Sequence, residues 1–473
     1  MWAAGKLNLQ GSDPLRTRIV PHSEQPAFTL ERSLWMKPGR NTSFRWVVAS
    51  LVGGFAFVSY VERMNISIAA AAMMPELALS KTEMGQVFSS FLWGYAIFQI
   101  PAGQMGDTLG PRLTLTIASL IWFAASALTG FAPGKLFVGT YATLLSLWVL
   151  RFLLGAGEAA TFPVGARAIR NWTPIWERGF GNSIMIAGAS IAAAVTSPVE
   201  SWLLIRVGWR ASFYITSLAA LILALVWRLS VTDHPREHRL VGGVELEKIM
   251  GGLPKARLGE KSVALRRLLT DRNVVLLSLS YTCEGYVLFI FVFWLYLYLV
   301  EVRGFTILNG GLVASLPWLT AAVCTPAGGW LCDHLTAKNG RVAGARSVIM
   351  LGYGLSGILL FVAARAENRI GSVAALCLSV GFLYFAEPAF WATALHVSGE
   401  HAGASSGVMN TAGILGGIVS TSLVPIIVKH YGWMAALGSG AAVAIACTGM
   451  WLVIGRAGLS DPAARPDGDL TAS

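Results

Sequence analysis

Six ionisable residues stand inside stretches that are otherwise apolar: Glu62, Arg63, Arg151, Glu158, Glu284 and Glu387. An ionisable side chain at mid-bilayer costs about 2.5–3.5 kcal/mol on insertion scales, so it normally faces a protein interior and has a partner there. Glu62 and Arg63 are neighbours. Arg151 and Glu158 are seven residues apart, hence on one helix face and about 10 Å apart along the axis. Arg stays charged and presents a planar fork matched to a carboxylate, which suits an anionic ligand. A carboxyl caught between burial and a neighbouring Arg can exchange a proton near neutral pH. Together these residues are what a proton-coupled carrier of an organic anion needs, with protons on Glu62, Glu158 and Glu284. The alternative is a set of fixed ion pairs that hold helices together. Both roles are compatible, because a pair that opens when cargo arrives is also a coupling device.

Other groups stand near these charges. Tyr60 precedes the Glu62-Arg63 pair, Tyr95 and Gln99 share a helix face at i,i+4, Tyr286 follows Glu284, and Asn410 lies in a Gly-flanked run. Each is a candidate substrate contact; for the aromatic residues an interface anchor or packing role is equally open. Pro388, next to Glu387, can loosen a helix and free backbone groups near a cavity. No HExxH, GxSxG or metal-ligand cluster is present, and the five Cys lie in or beside apolar runs without a CxxC pair. The expectation is a chain that is not an enzyme, with no cofactor and no metal.

The elements that position these residues follow from composition. Of 473 residues 55% are hydrophobic and 13% charged, with mean hydropathy +0.60, where a soluble domain carries about 25% charged residues. Only a lipid bilayer removes the need for a polar surface. Twelve apolar runs of spanning length, from 44–74 to 433–456, predict an all-α integral membrane protein. The net charge of +11 does not point to nucleic acid. Of 36 Lys and Arg, 8 fall in alternate loops (Lys81, Lys135, Arg206, Arg210, Arg303, Arg365, Arg369, Lys429), two lie inside spans, and 26 fall on the other side. By the positive-inside rule both termini are cytoplasmic. A multi-pass protein of a cell membrane, of the bacterial inner-membrane type, is expected. Residues 1–43 contain no apolar h-region, so no cleavable signal peptide is expected.

The run of spans is a duplication. Gly103-Gln104-Met105-Gly106-Asp107 is echoed by Gly329-Trp330-Leu331-Cys332-Asp333, 226 residues on. Ala187-Gly188 recurs as Ala412-Gly413, Val207-Gly208-Trp209 as Tyr431-Gly432-Trp433, and Glu158 with Phe162 as Glu387 with Phe390. Near-constant offsets predict two pseudo-symmetric six-helix bundles around a central site. The expected division is a disordered tail at 1–43, a bundle at 44–231, a cytoplasmic linker at 232–272, a second bundle at 273–456 and a tail at 457–473. In the linker, Val244, Leu246, Ile249 and Met250 are placed to face one side of a short surface helix.

Gly103-x-x-x-Asp107-x-x-Gly110-x-Arg112 resembles the loop signature of the major facilitator superfamily. The resemblance implies that fold, with Asp107, Arg112 and Asp333 in gating positions. The second copy departs from the pattern, since Arg341 and Arg346 come late. Further segments are similar to the anion:cation symporter family within it: Tyr60-Val61-Glu62-Arg63, Gly94-Tyr95-Ala96-Ile97-Phe98-Gln99, Arg151 to Ala159 with Phe162-Pro163, Trp172-x-Pro174-x-x-Glu177-Arg178, Glu387 to Trp391, and the Asn410 segment. The resemblance covers about residues 44–456. It implies symport of protons with a small organic anion, a sugar acid or related carboxylate. Glu62 and Glu158 would be the proton-linked acids, Arg63 and Arg151 the anion or coupling partners, and Tyr60, Tyr95 and Asn410 substrate contacts. Two departures stand out: Glu62 replaces a more usual Asp, and Glu284 is an added acid. A monomer is expected. The alternatives are a proton-driven drug or metabolite exporter, which the intramembrane Arg residues disfavour, and a membrane receptor without flux.

Overall fold

A computed structural model of the chain describes residues 42–131, 140–251, 270–397 and 402–457. Among these residues every regular element is helical. In chain order the helices are α1 (Phe44–Glu76), α2 (Lys81–Thr108), α3 (Pro111–Phe131), α4 (Thr140–Glu158), α5 (Thr161–Trp172), α6 (Arg178–Ser230), α7 (Gly243–Gly251), α8 (Arg272–Phe293), α9 (Leu295–Glu301), α10 (Ile307–Asn339), α11 (Arg341–Arg365), α12 (Arg369–Val397) and α13 (Ala402–Ala457). The expected tails fall almost wholly outside the described residues, as does 252–269 of the linker.

Nine helical stretches among the described residues are long and apolar enough to cross a membrane. Two of them, containing α6 and α13, are double: Gly208 (φ +80°) and Gly432 (φ +79°) break each into two spans. That backbone region is one only Gly enters freely, and both breaks sit before a Trp at matching repeat positions. With the less apolar α2 the count is twelve. The exposed faces carry Ile222, Leu225, Leu312, Val323 and Ile358 among many large apolar side chains, a surface suited to lipid rather than water. Helix starts are capped: Ser80 and Glu83 form a reciprocal capping box on α2, and Asp271 accepts the Asn273 and Val274 amides of α8. Such caps satisfy backbone donors that lack helical partners.

Packing repeats between halves. α1 lies on α6 as α8 lies on α13, α2 on α4 as α10 on α12, and α3 on α6 as α11 on α13. The tightest approaches use Gly: a Cβ on Gly188 would come within 2.2 Å of the Gly53 carbonyl oxygen, and one on Gly285 within 1.8 Å of that of Gly413. The first and fifth spans, and the seventh and eleventh, therefore meet backbone to backbone.

The halves touch through α2 with α13 and α6 with α10, mostly at one end. There Lys81 Nζ lies 2.9 Å from Glu301 Oε2, Trp433 donates to the same carboxylate at 3.2 Å, Phe88 stacks on Phe293, and Gly311 abuts Ser197 and Ser201. From Glu284 to Leu299 nearly every side chain of α8 and α9 is buried. Toward the other end, the terminal end where α1 starts and α13 finishes, Ile97, Phe98, Ile100 and Pro101 of α2 are exposed. The two halves thus form a wedge, shut at the Lys81 end.

At the terminal end α7 docks on the first half. Its Glu245 accepts the Phe44 and Arg45 amides at 3.0 Å each, the Arg45 guanidinium at 3.1 Å, and the Thr42 hydroxyl. Arg45 and Lys248 both reach Glu177. The linker helix exists as expected, but its docked side differs: Glu245 and Ile249 are the buried residues and Val244 is exposed. A carboxylate that caps the open start of α1 outcompetes an apolar side chain for that place.

Candidate functional site

Where the wedge narrows, a small pocket is lined by Tyr60, Arg63 and Met64 of α1, Leu288, Phe289 and Val292 of α8, Trp318 of α10 and Tyr384 of α12. Both halves contribute. Arg63 is its one lining cation. Its Nε and Nη2 donate to Glu158 Oε2 at 3.2 and 3.0 Å, while the rings of Tyr60, Tyr95 and Phe91 stand 4.6, 5.1 and 5.2 Å from its guanidinium carbon. Glu158 closes α4, where Ala159 and Ala160 interrupt the fourth span before α5 begins. Its Oε1 is buried with no hydrogen-bond partner among the described residues. One oxygen is held by Arg63 and one is left over, so this carboxylate can exchange partners.

Arg151 has a different position. It is buried, donates from Nη1 to the Glu62 carbonyl at 2.9 Å and from Nη2 to Asn65 Oδ1 at 3.0 Å, and lies over Phe213. Asn65 in turn donates to Thr216. Arg151 therefore ties the first span to the fourth and sixth, inside the first half. Glu62 is fully buried beside Arg151 and Ser126, and among the described residues no donor, Ser126 included, reaches good hydrogen-bond geometry with either of its carboxylate oxygens. A further acid shares this interior: Glu200 of α6, 1% exposed, accepts from Ser212. Sequence reading passed it over, although the rule that selected the other acids applies to it; it lies four residues from the end of its apolar run.

In the second half Glu387 is the hub. Tyr281 and Trp391 both donate to its Oε1 at 2.6 Å. Glu284, 4% exposed, lies on α8 within the electrostatic reach of Glu387. Tyr286, named beside Glu284 in the sequence, bonds Ser439 of the twelfth span at 2.8 Å and belongs to packing within that half. The Tyr that reaches the acid is Tyr281, which the sequence did not single out. Asn410 is half-buried on α13 next to Thr411, whose hydroxyl meets Gln99 Oε1 of α2 at 3.3 Å across the interface.

The loop motif is dispersed. Asp107 pairs with Arg167 of α5. The Arg112 amide donates to Asp233 at 2.8 Å and its guanidinium to the Arg228 carbonyl. Gly110, at φ +83°, brings the turn against Asp233. Asp333 is exposed at the end of the eighth span. The described residues hold no cluster of three or more His, Cys, Asp or Glu able to bind a metal.

Residues 52–421 match the family model of the Major Facilitator Superfamily. The chain is 34% identical over 378 residues, 80% of its length and 85% of the relative's, to the probable sulfoacetate transporter SauU of Cupriavidus necator. It is 30% identical to the probable galactarate/D-glucarate transporter GudP of Bacillus subtilis, covering 83% of this chain and 88% of that protein. With the D-galactonate transporter of Escherichia coli it shares 29% identity, over 86% of this chain and 94% of that one. Among solved structures it is similar to a bacterial homolog of the human lysosomal transporter Spinster in an inward-facing, unoccupied conformation, with TM-score 0.68, 15% identity, and coverage of 88% and 96%.

Proposed function

The chain belongs to the Major Facilitator Superfamily, and from that premise we propose that it carries a small organic anion in symport with protons. It is a transporter rather than an enzyme, as its relatives are. The observation that carries the anion reading is the Arg63–Glu158 pair at the narrow end of a wedge lined by both halves. Arg63 is the cation an anionic cargo would meet there, and Glu158 already occupies it. Cargo and Glu158 therefore compete, and a proton on Glu158 would release the guanidinium to the cargo. Glu62, buried in the same half with no well-aligned hydrogen bond among the described residues, is the second proposed proton carrier. Tyr60 lines the pocket, Tyr95 sets its ring against the Arg63 guanidinium, Gln99 meets Thr411 across the interface, and Arg151 holds the first span in register.

The relatives named for sulfoacetate, galactarate and galactonate support a cargo that is a small carboxylate or sulfonate. With the basic side cytoplasmic, the terminal end of the wedge opens inward and the Lys81–Glu301 end is the closed external gate. The carrier acts as a monomer in a bacterial inner membrane, rocking its halves around the site. In proteoliposomes, an inward-directed pH gradient should drive uptake of at least one labelled acid from a panel of sugar acids and sulfonates, and a protonophore should abolish it. Uptake of an acid that is indifferent to the gradient would end the proton-coupling reading and leave an anion uniporter or exchanger.

A further inference from the structure

The two walls of the site are electrically unlike. In the first half both buried guanidiniums have acceptors and acids near them: Arg63 pairs with Glu158, and Arg151 donates to the Glu62 carbonyl and to Asn65 with the carboxyls of Glu62, Glu158 and Glu200 in its field. In the second half Tyr281, three residues before Glu284 and so on the same face of α8, donates to Glu387 at 2.6 Å, which brings the two acids to one side, and among the described residues no basic side chain pairs with either. Glu284 is 4% exposed with no hydrogen-bond donor to it among the described residues, and the half-buried Glu387 takes both of its described donors, Tyr281 and Trp391, on Oε1. Close by, the hydroxyl of Tyr353, itself fully buried, has no partner among the described residues while feeling both acids. The Tyr353 hydroxyl is thus a buried polar group left open, its ring 5.6 Å from that of Phe390, which in turn lies 5.2 Å from Tyr281; a protein interior avoids that cost unless something binds there.

The spot belongs to the transport path. Glu284 precedes the pocket-lining Leu288 by one helical turn, and Glu387 follows the lining Tyr384 by three residues, so each shares a helix face with the pocket. Tyr60, at the junction, lies within reach of Arg63 and Glu158 on one side and of Glu284 and Glu387 on the other. Around the acids stand the rings of Tyr281, Phe390 and Trp391, with Tyr281 5.2 Å from Phe390 and 6.4 Å from Trp391. Paired carboxyls flanked by aromatic faces form the surroundings an organic ammonium prefers.

We propose that the cargo is a zwitterion, its acid group held by Arg63 of the first half and its ammonium by Glu284 and Glu387 of the second. This deepens the anion reading and rests on it. The chemical class is a short amino carboxylate or amino sulfonate, able to bridge the two walls and draw the halves together as it is enclosed.

Matched acids that differ by ammonium against hydroxyl test it. Purified full-length protein is titrated at pH 7 with β-alanine and 3-hydroxypropionate, with 2-aminoethanesulfonate and 2-hydroxyethanesulfonate, and with 2-amino-2-deoxygluconate and gluconate, binding being read by calorimetry and thermal shift. At least one amino member should bind about tenfold or more tightly than its hydroxy counterpart. Glu284→Gln and Glu387→Gln should each bring that ratio toward one, whereas Arg63→Lys should weaken both members alike. Should one of the Gln variants not fold, the other supplies the same ratio. Hydroxy acids that bind as well as or better than their amino partners would overturn the ammonium site and leave the anion reading standing, the acid pair then serving protons. A preference that survives in every folded Gln variant would overturn the assignment to these residues. Binding of none of these acids to a wild-type protein with an intact melting transition would bring down the anion reading together with this one.

Discussion

Arg63 Nη2 stands 3.0 Å and Nε 3.2 Å from one oxygen of Glu158, and both side chains are almost wholly buried. At an effective dielectric constant of about 20, two unit charges at that separation attract by about 5 kcal/mol. Desolvation offsets much of this, and hydrogen bonds to charged groups contribute about 1.5–3 kcal/mol net. A cargo anion must displace that carboxylate before it reaches the guanidinium. Glu158→Gln removes the competing charge and keeps the shape of the side chain, so about 2 kcal/mol of competition disappears. The variant should bind its anion about 30-fold more tightly at pH 7. Wild-type affinity should rise as pH falls, because protonation of Glu158 does what the substitution does; in the variant that slope should flatten. The assay uses proteoliposomes with two readouts: uptake driven by a pH gradient, and counterflow with the same acid on both sides. Gradient-driven uptake should be lost and counterflow should persist. Equal loss of both, with affinity unchanged or weaker, would refute the competition and make Glu158 part of the binding surface.

Two further perturbations address the gate and the linker. The Lys81–Glu301 pair is about one-third exposed on each side, and such pairs contribute at most about 1 kcal/mol. Lys81→Ala should therefore raise the alkylation rate of a Leu288→Cys probe, which lines the inner pocket, by an impermeant reagent added on the Lys81 side, by no more than about fivefold, and less in high salt; an unchanged rate at low salt would remove this pair from the gate. Glu245 lies outside the membrane spans: burial pushes its carboxyl up, but the Arg45 and Phe44 amides, the Thr42 hydroxyl and the Arg45 guanidinium outweigh this and hold it below its ordinary value. A lowered folded value stabilises the protein above the ordinary Glu range and ceases to do so as pH falls through that folded value. Glu245→Gln should lower the melting temperature at pH 7, by the equivalent of about 1–3 kcal/mol, and the gap from wild type should shrink below about pH 4. A gap independent of pH would show that the carboxylate charge has no part in holding α7.

The fold was legible because its signals are local or repeated. Hydropathy marks a span without reference to any neighbour, and duplication shows each motif twice, so Gly208 and Gly432 could be matched before their backbone angles were known. The site was legible only in part, for a geometric reason. Tyr281 and Tyr286 are five residues apart on one helix, about 140° around its axis, and only the first reaches Glu387. No composition rule tells which face of an apolar helix looks inward, since lipid and protein interior select the same residues. Arg151 shows a second limit. Its type suits an anion, yet its partners are a carbonyl and an amide more than 80 residues away in α1. Glu245 shows a third: its ligands lie about 200 residues back, where a helix start happens to lack acceptors.

The balance of charge inside the two halves bears on how such a carrier couples. Two guanidiniums face four buried carboxyls, Glu62, Glu158, Glu200 and Glu284, and the half-buried Glu387, and the surplus is not evenly spread. The first half nearly balances itself through Arg63 and Arg151, so it can close around its own pairs without cargo. The second half has no such means, and a charged, unpaired site is expensive to enclose in low dielectric. Enclosure therefore favours states in which mobile positive charge, a proton or an ammonium, sits on Glu284 and Glu387. A ligand shifts a two-state equilibrium only by its differential affinity for the two states. An anion alone, met by Arg63 at the apex, adds negative charge to a cavity already short of positive charge, and so favours the open form. The same anion arriving with protons or its own ammonium removes that penalty and favours closure. On the proposed reading, coupling would need no relay between distant sites: it would follow from one cavity whose two walls must be neutral together before they can meet.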